Sequence, residues 1–218
     1  MEAEGSAANR RPLKSRGTAW AGLAARAALA SGISADGVSI LGIVISLIGA
    51  AVVMTGFAAP WHFVIGAAAV QLRLLCNMLD GMVAVEGGRK SLYGPIYNEL
   101  PDRLEDSLLL IAAGYAADPS LGLVLGLTAA LVAAICAYVR LLGGTLGQAQ
   151  DFVGPQAKPH RMFVLTLGLI AAFADRIITG QPHDGRMLML AFGVIIAGTL
   201  FTIVRRTLRI ARRLREAA

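Results

Sequence analysis

Cysteine is nearly absent: Cys76 and Cys136 are the only two in 218 residues. They stand far apart within apolar stretches, so they give neither a metal-ligand spacing nor a disulfide framework, and both read as small packing residues. Charge is scarce as well. Only 16% of residues are charged against 56% hydrophobic, and mean hydropathy is +0.65. A soluble domain would carry roughly a quarter charged residues, so the composition excludes an ordinary soluble fold. Aromatics make up 6% and form no stacking platform beside the basic residues, so the net charge of +6 does not signal nucleic-acid binding. There is no internal repeat and no Walker, Rossmann or Ser-His-Asp signature. The first 17 residues, MEAEGSAANRRPLKSRG, have no apolar run behind their charges and read as a flexible polar N-terminus rather than a signal peptide.

What the chain has is long apolar blocks. A membrane-spanning helix needs about 20 mostly apolar residues, and six segments qualify: 36–57, 62–85, 103–117, 119–142, 161–180 and 186–205. The third is the shortest and begins inside a polar stretch. The connections leave no room for a separate soluble domain, so 18–218 reads as one all-α polytopic membrane bundle of six transmembrane helices. Residues 18–31 (TAWAGLAARAALAS) read as an N-terminal interfacial helix with Trp20 as anchor and Arg26 on the wet side. Lys and Arg fall at the N-terminus, in the second and fourth connections and at 205–215, while the first, third and fifth connections have almost none. That alternation predicts both termini on the cytoplasmic side; the membrane expected is a bacterial inner membrane. The run RRTLRIARRLR is expected to continue the last span as a basic helix along anionic headgroups.

The informative stretch is RLLCNMLDGMVAVEGGRKSLYGPIYNELPDRLEDS. Arg73, Asn77 and Asp80 lie at spacings of four and three in an apolar helix, so they share one face. Polar groups inside a span are costly and usually face a bundle interior or a wet cavity. After the turn-like EGGRKS, Asn98, Asp102 and Asp106 recur at i, i+4, i+8. Both faces aim at a common space, and oxygen ligands converging there suit a hard divalent cation, Mg²⁺ or Mn²⁺. Gly81 lets a phosphate approach the backbone closely. On spacing alone the alternative stays open that Arg73 pairs with Asp80 or a neighbour and that Asn98, Asp102 and Asp106 are a solvated face at a helix start.

This stretch resembles the CDP-alcohol phosphotransferases, whose pattern is D-x2-D-G-x2-A-R-x8-G-x3-D-x3-D. Here it reads Asn77-x2-Asp80-Gly81-x2-Ala84-Val85-x8-Gly94-x3-Asn98-x3-Asp102, with every interval kept. GISADGVSILG, ahead of the first span, is similar to the family as well. The resemblance implies metal ligation by Asn77, Asp80, Asn98 and Asp102, with Gly81, Ala84 and Gly94 against the CDP moiety and Asp102 as the base for the acceptor hydroxyl. It implies transfer of a substituted phosphate from a CDP-linked lipid donor such as CDP-diacylglycerol to a small or phosphorylated alcohol, with release of CMP, in phospholipid biosynthesis. It also implies a homodimer, and Gly122-x3-Gly126 is a spacing that allows close helix contact or dimerisation.

The departures matter as much. In the family four carboxylates hold two divalent ions; two such ions carry +4, and Asp80 and Asp102 supply only −2. One bound ion, or a second arriving with substrate, is the expectation, with Glu86, Glu99 or Asp106 as further ligands. Val85 stands at the arginine position; Arg89 is the candidate replacement, and Arg73 is placed to brace Asn77. For the acceptor's phosphate the candidates are Arg140, Lys158 and Arg161, with topology marking as the alternative. Two other readings stay open: a CDP-lipid-binding or regulatory membrane protein with weakened chemistry, and a small transporter. The polar groups gather on one side of the membrane, which counts against the transporter.

Overall fold

The computed structural model describes residues 18–56, 58–86, 93–180 and 185–217, and of positions 85, 86, 94, 95, 97 and 98 the backbone alone. Among the described residues there are seven helices and no strands. They are α1 (Ala19–Ala30), α2 (Ala35–Met54), α3 (Trp61–Glu86), α4 (Gly94–Ala117), α5 (Leu121–Thr145), α6 (Lys158–Thr179) and α7 (Arg186–Ala217). The polar N-terminus and the expected turn at 87–92 lie outside the described residues.

Local chemistry explains the helix ends. The Ser34 hydroxyl accepts the Gly37 N–H at 3.0 Å and Asp36 sits in the first turn of α2, satisfying a free donor and complementing the helix dipole. α4 and α6 each place a proline in their first two positions, where a missing N–H costs nothing. α6 stops at Gly180, whose φ of +63° suits glycine. α4 runs on through Pro101, which supplies no N–H to the carbonyl four residues earlier.

Five helices are long and apolar enough to cross a membrane: α2, α3 over Trp61–Ala84, α5, α6 and α7. These are the spans of a multi-pass membrane protein. α4, which holds the segment expected as the third span, has the length at 24 residues, but its first half carries the charges of the polar stretch, and it does not qualify on composition. It begins nine residues before the apolar block that hydropathy marks at 103. α7 continues unbroken through the basic run to Ala217.

The six long helices close into a ring. α2 packs on α3, α3 on α6, α6 on α7, α7 on α5, α5 on α4, and α4 back on α2. Small residues let them approach: Ala50, Ala67, Ala113, Ala129 and Ala172 are buried around Phe63, Leu110, Met162, Leu165, Leu169 and Phe192. Gly122 and Gly126, read from the sequence as a helix-contact or dimerisation spacing, work inside the chain, seating α5 on α4. A Cβ at Gly126 would come 2.8 Å from the Leu110 carbonyl oxygen and 3.0 Å from Gly114 Cα. α1 lies outside the ring, with Ala21 and Ala25 buried on Met78 and Met82 of α3 and Arg26 exposed. The motif-bearing helices α3 and α4 do not pack closely on each other; α2 packs on both. Side chains fill the space between them.

Candidate active site

The site is built at the end of the bundle where α3 finishes and α4 and α6 begin. α3 presents Arg73, Asn77 and Asp80 on one face, as their spacing requires, and Arg73 and Asp80 are buried. From α4 come Asp102, Glu105 and Asp106, all buried, and from the start of α6 come Lys158 and Arg161.

Arg73 is the hub. It is 0% exposed, and its guanidinium reaches from α3 to three carboxylates of α4. Nε donates to Glu105 Oε2 at 2.6 Å, and one terminal nitrogen lies 2.8 Å from Asp106 Oδ1 and 3.2 Å from Asp102 Oδ1. The same nitrogen donates to the Asp102 carbonyl at 3.2 Å. Arg73 therefore braces α4 directly rather than Asn77 or Asp80, the partners expected from the sequence. A planar fork of donors suits this better than a lysine, since several oxygens are met in one plane.

Asn77 sits between two charged neighbours. Its side-chain oxygen accepts from Lys158 Nζ at 3.2 Å, and its nitrogen donates to Glu105 Oε2 at 3.4 Å. Lys158 Nζ also forms an ion pair with Asp102 Oδ1, and both side chains are almost buried. Arg161 holds Asp106 Oδ2 at 3.1 Å and donates to the Gln156 carbonyl. On the rim, Glu99 takes Arg140 at 2.6 Å and Arg103 at 3.0 Å, while the Arg140 guanidinium also bonds Gln150 and lies 5.3 Å from the Phe152 ring centroid. Glu99 and Asp106, named from the sequence as further metal ligands, are each held by two cations.

Asp80 differs from the other carboxylates. It is 6% exposed, yet its partners among the described residues are the Ser39 hydroxyl at 2.9 Å and the Gly81 N–H, neither of them a cation. Buried carboxylates are ordinarily paired with a cation or a metal. The inner group counts Asp80, Asp102, Glu105 and Asp106 (−4) against Arg73, Lys158 and Arg161 (+3), a remainder of −1 that falls on Asp80. If a divalent cation binds here, Asp80, the carboxylate without a cation partner among the described residues, is where the charge leaves room for it. A second, shared by Asn77 and Asp102, does not fit: the Lys158 ammonium touches both. Among the described residues no three His, Cys, Asp or Glu side chains gather as a ready metal cage.

Of the remaining sequence-predicted positions, Gly81 and Ala84 follow Asp80 on α3, both partly accessible. Arg89 and the Glu86 side chain lie outside the described residues, as does everything beyond the backbone at Gly94 and Asn98. Two residues escaped the sequence reading. Ser39 lies in the GISADGVSILG stretch but shows no signal by itself, being one small polar residue in a span. Glu105 was legible: with Asp102 and Asp106 it makes an i, i+3, i+4 set on one helical face.

Comparison with known proteins agrees with this architecture. No protein-family model matches the chain. A phosphatidylinositol phosphate synthase of Streptomyces avermitilis is 26% identical over 191 residues, covering 85% of this chain and 75% of that protein. An archaetidylinositol phosphate synthase of Methanothermobacter thermautotrophicus is 27% identical over 157 residues, 72% of this chain and 75% of its own length. Among solved structures, the Mycobacterium tuberculosis phosphatidylinositol phosphate synthase with CDP-DAG bound has the same fold, with a TM-score of 0.69 at 23% identity over 87% of this chain and 92% of that one. The same enzyme in complex with manganese and citrate matches at a TM-score of 0.69 and 22% identity, over 87% of this chain and 88% of that one. The six-helix ring has that fold, the motif keeps every interval, and the chain is similar to phosphatidylinositol phosphate synthases, which are CDP-alcohol phosphotransferases.

Proposed function

We propose that this protein transfers a phosphatidyl-type group from a CDP-linked lipid donor such as CDP-diacylglycerol to the hydroxyl of an acceptor alcohol, releasing CMP. The observation that carries the reading is the pairing of Asp80–Gly81 on α3 with Asp102 on α4 across a space that α2 and α6 complete, in a chain homologous to synthases of phosphatidylinositol phosphate. The names of those relatives favour a phosphorylated polyol of the inositol phosphate class as acceptor.

Each residue then has a task. Asp80, oriented by the Ser39 hydroxyl, would hold one Mg²⁺ or Mn²⁺ together with Asn98 and Asp102. When bound, such an ion supplies positive charge to the donor's diphosphate and the departing CMP. Gly81, Ala84 and Gly94 leave room for the nucleotide; Arg89 is the candidate for the missing guanidinium. Asp102 accepts the proton of the attacking hydroxyl, held in place by Arg73 and Lys158. Arg140, Lys158 and Arg161 are the candidates for the acceptor's phosphate, each sharing its charge with the carboxylate it already holds. The donor's acyl tails stay among the exposed apolar side chains of the spans while its headgroup enters from the cytoplasmic side, where both termini lie; a homodimer is the expected assembly.

The test is transfer from CDP-diacylglycerol to inositol phosphate and a panel of other alcohols with Mg²⁺ or Mn²⁺. Asp80→Ala and Asp102→Ala should each lower turnover by about 100-fold or more; full activity in either variant refutes the assignment. One observation favours a second reading, a CDP-lipid-binding protein without turnover. Adding Glu99, Arg103 and Arg140 brings the whole cluster to five carboxylates and five cations, balanced with no metal at all. CDP-dependent thermal stabilisation without transfer to any acceptor would select it.

A further inference from the structure

Lys158 occupies a position that the motif comparison leaves to a metal. It opens α6, far in sequence from the motif, yet its ammonium touches the first and fourth motif positions together: Asn77 Oδ1 at 3.2 Å and Asp102 Oδ1 as an ion pair. Its side chain is 11% exposed, so the charge is committed to these oxygens rather than to solvent. The identity of residue 77 matches this arrangement. An aspartate there would join Asp102 in presenting −2 to a monovalent ammonium and would stand beside Glu105 with no proton to offer. Asparagine presents a neutral oxygen to Lys158 and an N–H to Glu105. The two changes therefore read as one exchange, a carboxylate and a divalent ion for an amide and an ammonium.

Resting on the reading of this site as one that takes a divalent cation at Asp80, we propose that the Lys158 ammonium stands permanently in place of a second divalent ion between Asn77 and Asp102. The chain then binds a single ion, and Lys158 acts as a positioning residue that fixes Asp102 for the acceptor hydroxyl. A tethered ammonium can neutralise and orient Asp102, but it cannot open a coordination position to a phosphate oxygen as a divalent ion can.

The experiment counts Mn²⁺ bound per chain, without turnover, from the electron paramagnetic resonance signal of the free ion in the presence of CDP, on the full chain in nanodiscs. The parent protein should saturate at one ion. Asn77→Asp with the lysine kept should remain at one, and so should Lys158→Arg, which keeps a cation in place. Lys158→Met/Asn77→Asp should gain one ion. A parent protein that saturates at two overturns the proposal, as does a double variant, folded by thermal melting, whose count does not rise. Should the double variant fail to fold, the counts of the parent, Asn77→Asp and Lys158→Arg decide, since any of them reaching two refutes it. A parent count of zero that rises to one in the double variant upholds the lysine's role and instead sinks the assignment of a metal to Asp80.

Discussion

Replacing Arg73 with methionine removes the one guanidinium among the described residues that enters the space between α3 and α4 from the α3 side. The consequence is uneven across its three partners. Asp106 keeps Arg161 at 3.1 Å, and Asp102 keeps Lys158, but among the described residues Glu105 keeps only the Asn77 amide at 3.4 Å. Glu105 is 1% exposed, so the substitution strands a buried carboxylate. Breaking a buried pair by removing one partner costs about 3–5 kcal/mol, most of it the penalty of the charge left behind. If that is the origin, neutralising the stranded partner should restore much of the loss. Arg73→Met should therefore lose about 3–5 kcal/mol, and Arg73→Met/Glu105→Gln should regain roughly 2 kcal/mol of it. Reversible unfolding in mixed micelles, run on the parent, both single variants and the double variant, closes the cycle and isolates the coupling. A coupling energy near zero, or a loss under about 1 kcal/mol for Arg73→Met, would refute the account of Arg73 as the brace of α4.

Ser39→Ala removes the hydroxyl that orients Asp80 and should lower kcat/KM for transfer about 10-fold, the worth of one hydrogen bond to a charged group, with folding intact by thermal melting. Gly126→Ala puts a methyl group 2.8 Å from the Leu110 carbonyl oxygen, against backbone that has little room to move; it should cost about 1–3 kcal/mol of stability in detergent. Asp118, on the short connection between α4 and α5, is held below the usual carboxylate range by hydrogen bonds from the Ser120 hydroxyl and the Ser120, Leu121 and Gly122 N–H groups. A lowered folded value means the contribution is present above the unfolded carboxylate's range, near pH 4, and is lost as pH falls through the folded value. Acid unfolding of Asp118→Ala should show a flatter stability loss below about pH 4 than the parent.

How much of this was legible in the sequence depended on whether a feature is periodic along one helix. The shared face of Arg73, Asn77 and Asp80 follows from spacings of three and four, and the structure has it. The apolar blocks mark the spans to within a few residues, except that α4 begins at Gly94, because hydropathy cannot see a helix whose first half is charged. Partnerships between helices are different. Nothing in the order of residues says that Arg73 chooses Glu105 over Asp80, or that Lys158 crosses to Asn77, since these depend on the gap between α3 and α4 that α2 and α6 frame. Gly122-x3-Gly126 shows the same limit. The spacing announces a close helix contact, and only the fold says that Gly114 of the same chain is in it.

The charged half of α4 bears on how the protein reaches its membrane. Glu99, Asp102, Arg103, Glu105 and Asp106 make this helix a poor candidate for independent insertion, while the helices on either side of it are long and apolar enough to cross a membrane. During synthesis Arg73 is already present in α3 when α4 emerges, so of the three cations of the inner group it is the first available to those acids. Lys158 and Arg161 arrive only once α6 has been made. The ion pairs of α4 are therefore complete only once α6 has joined the bundle, with Lys158 on Asp102 and Arg161 on Asp106.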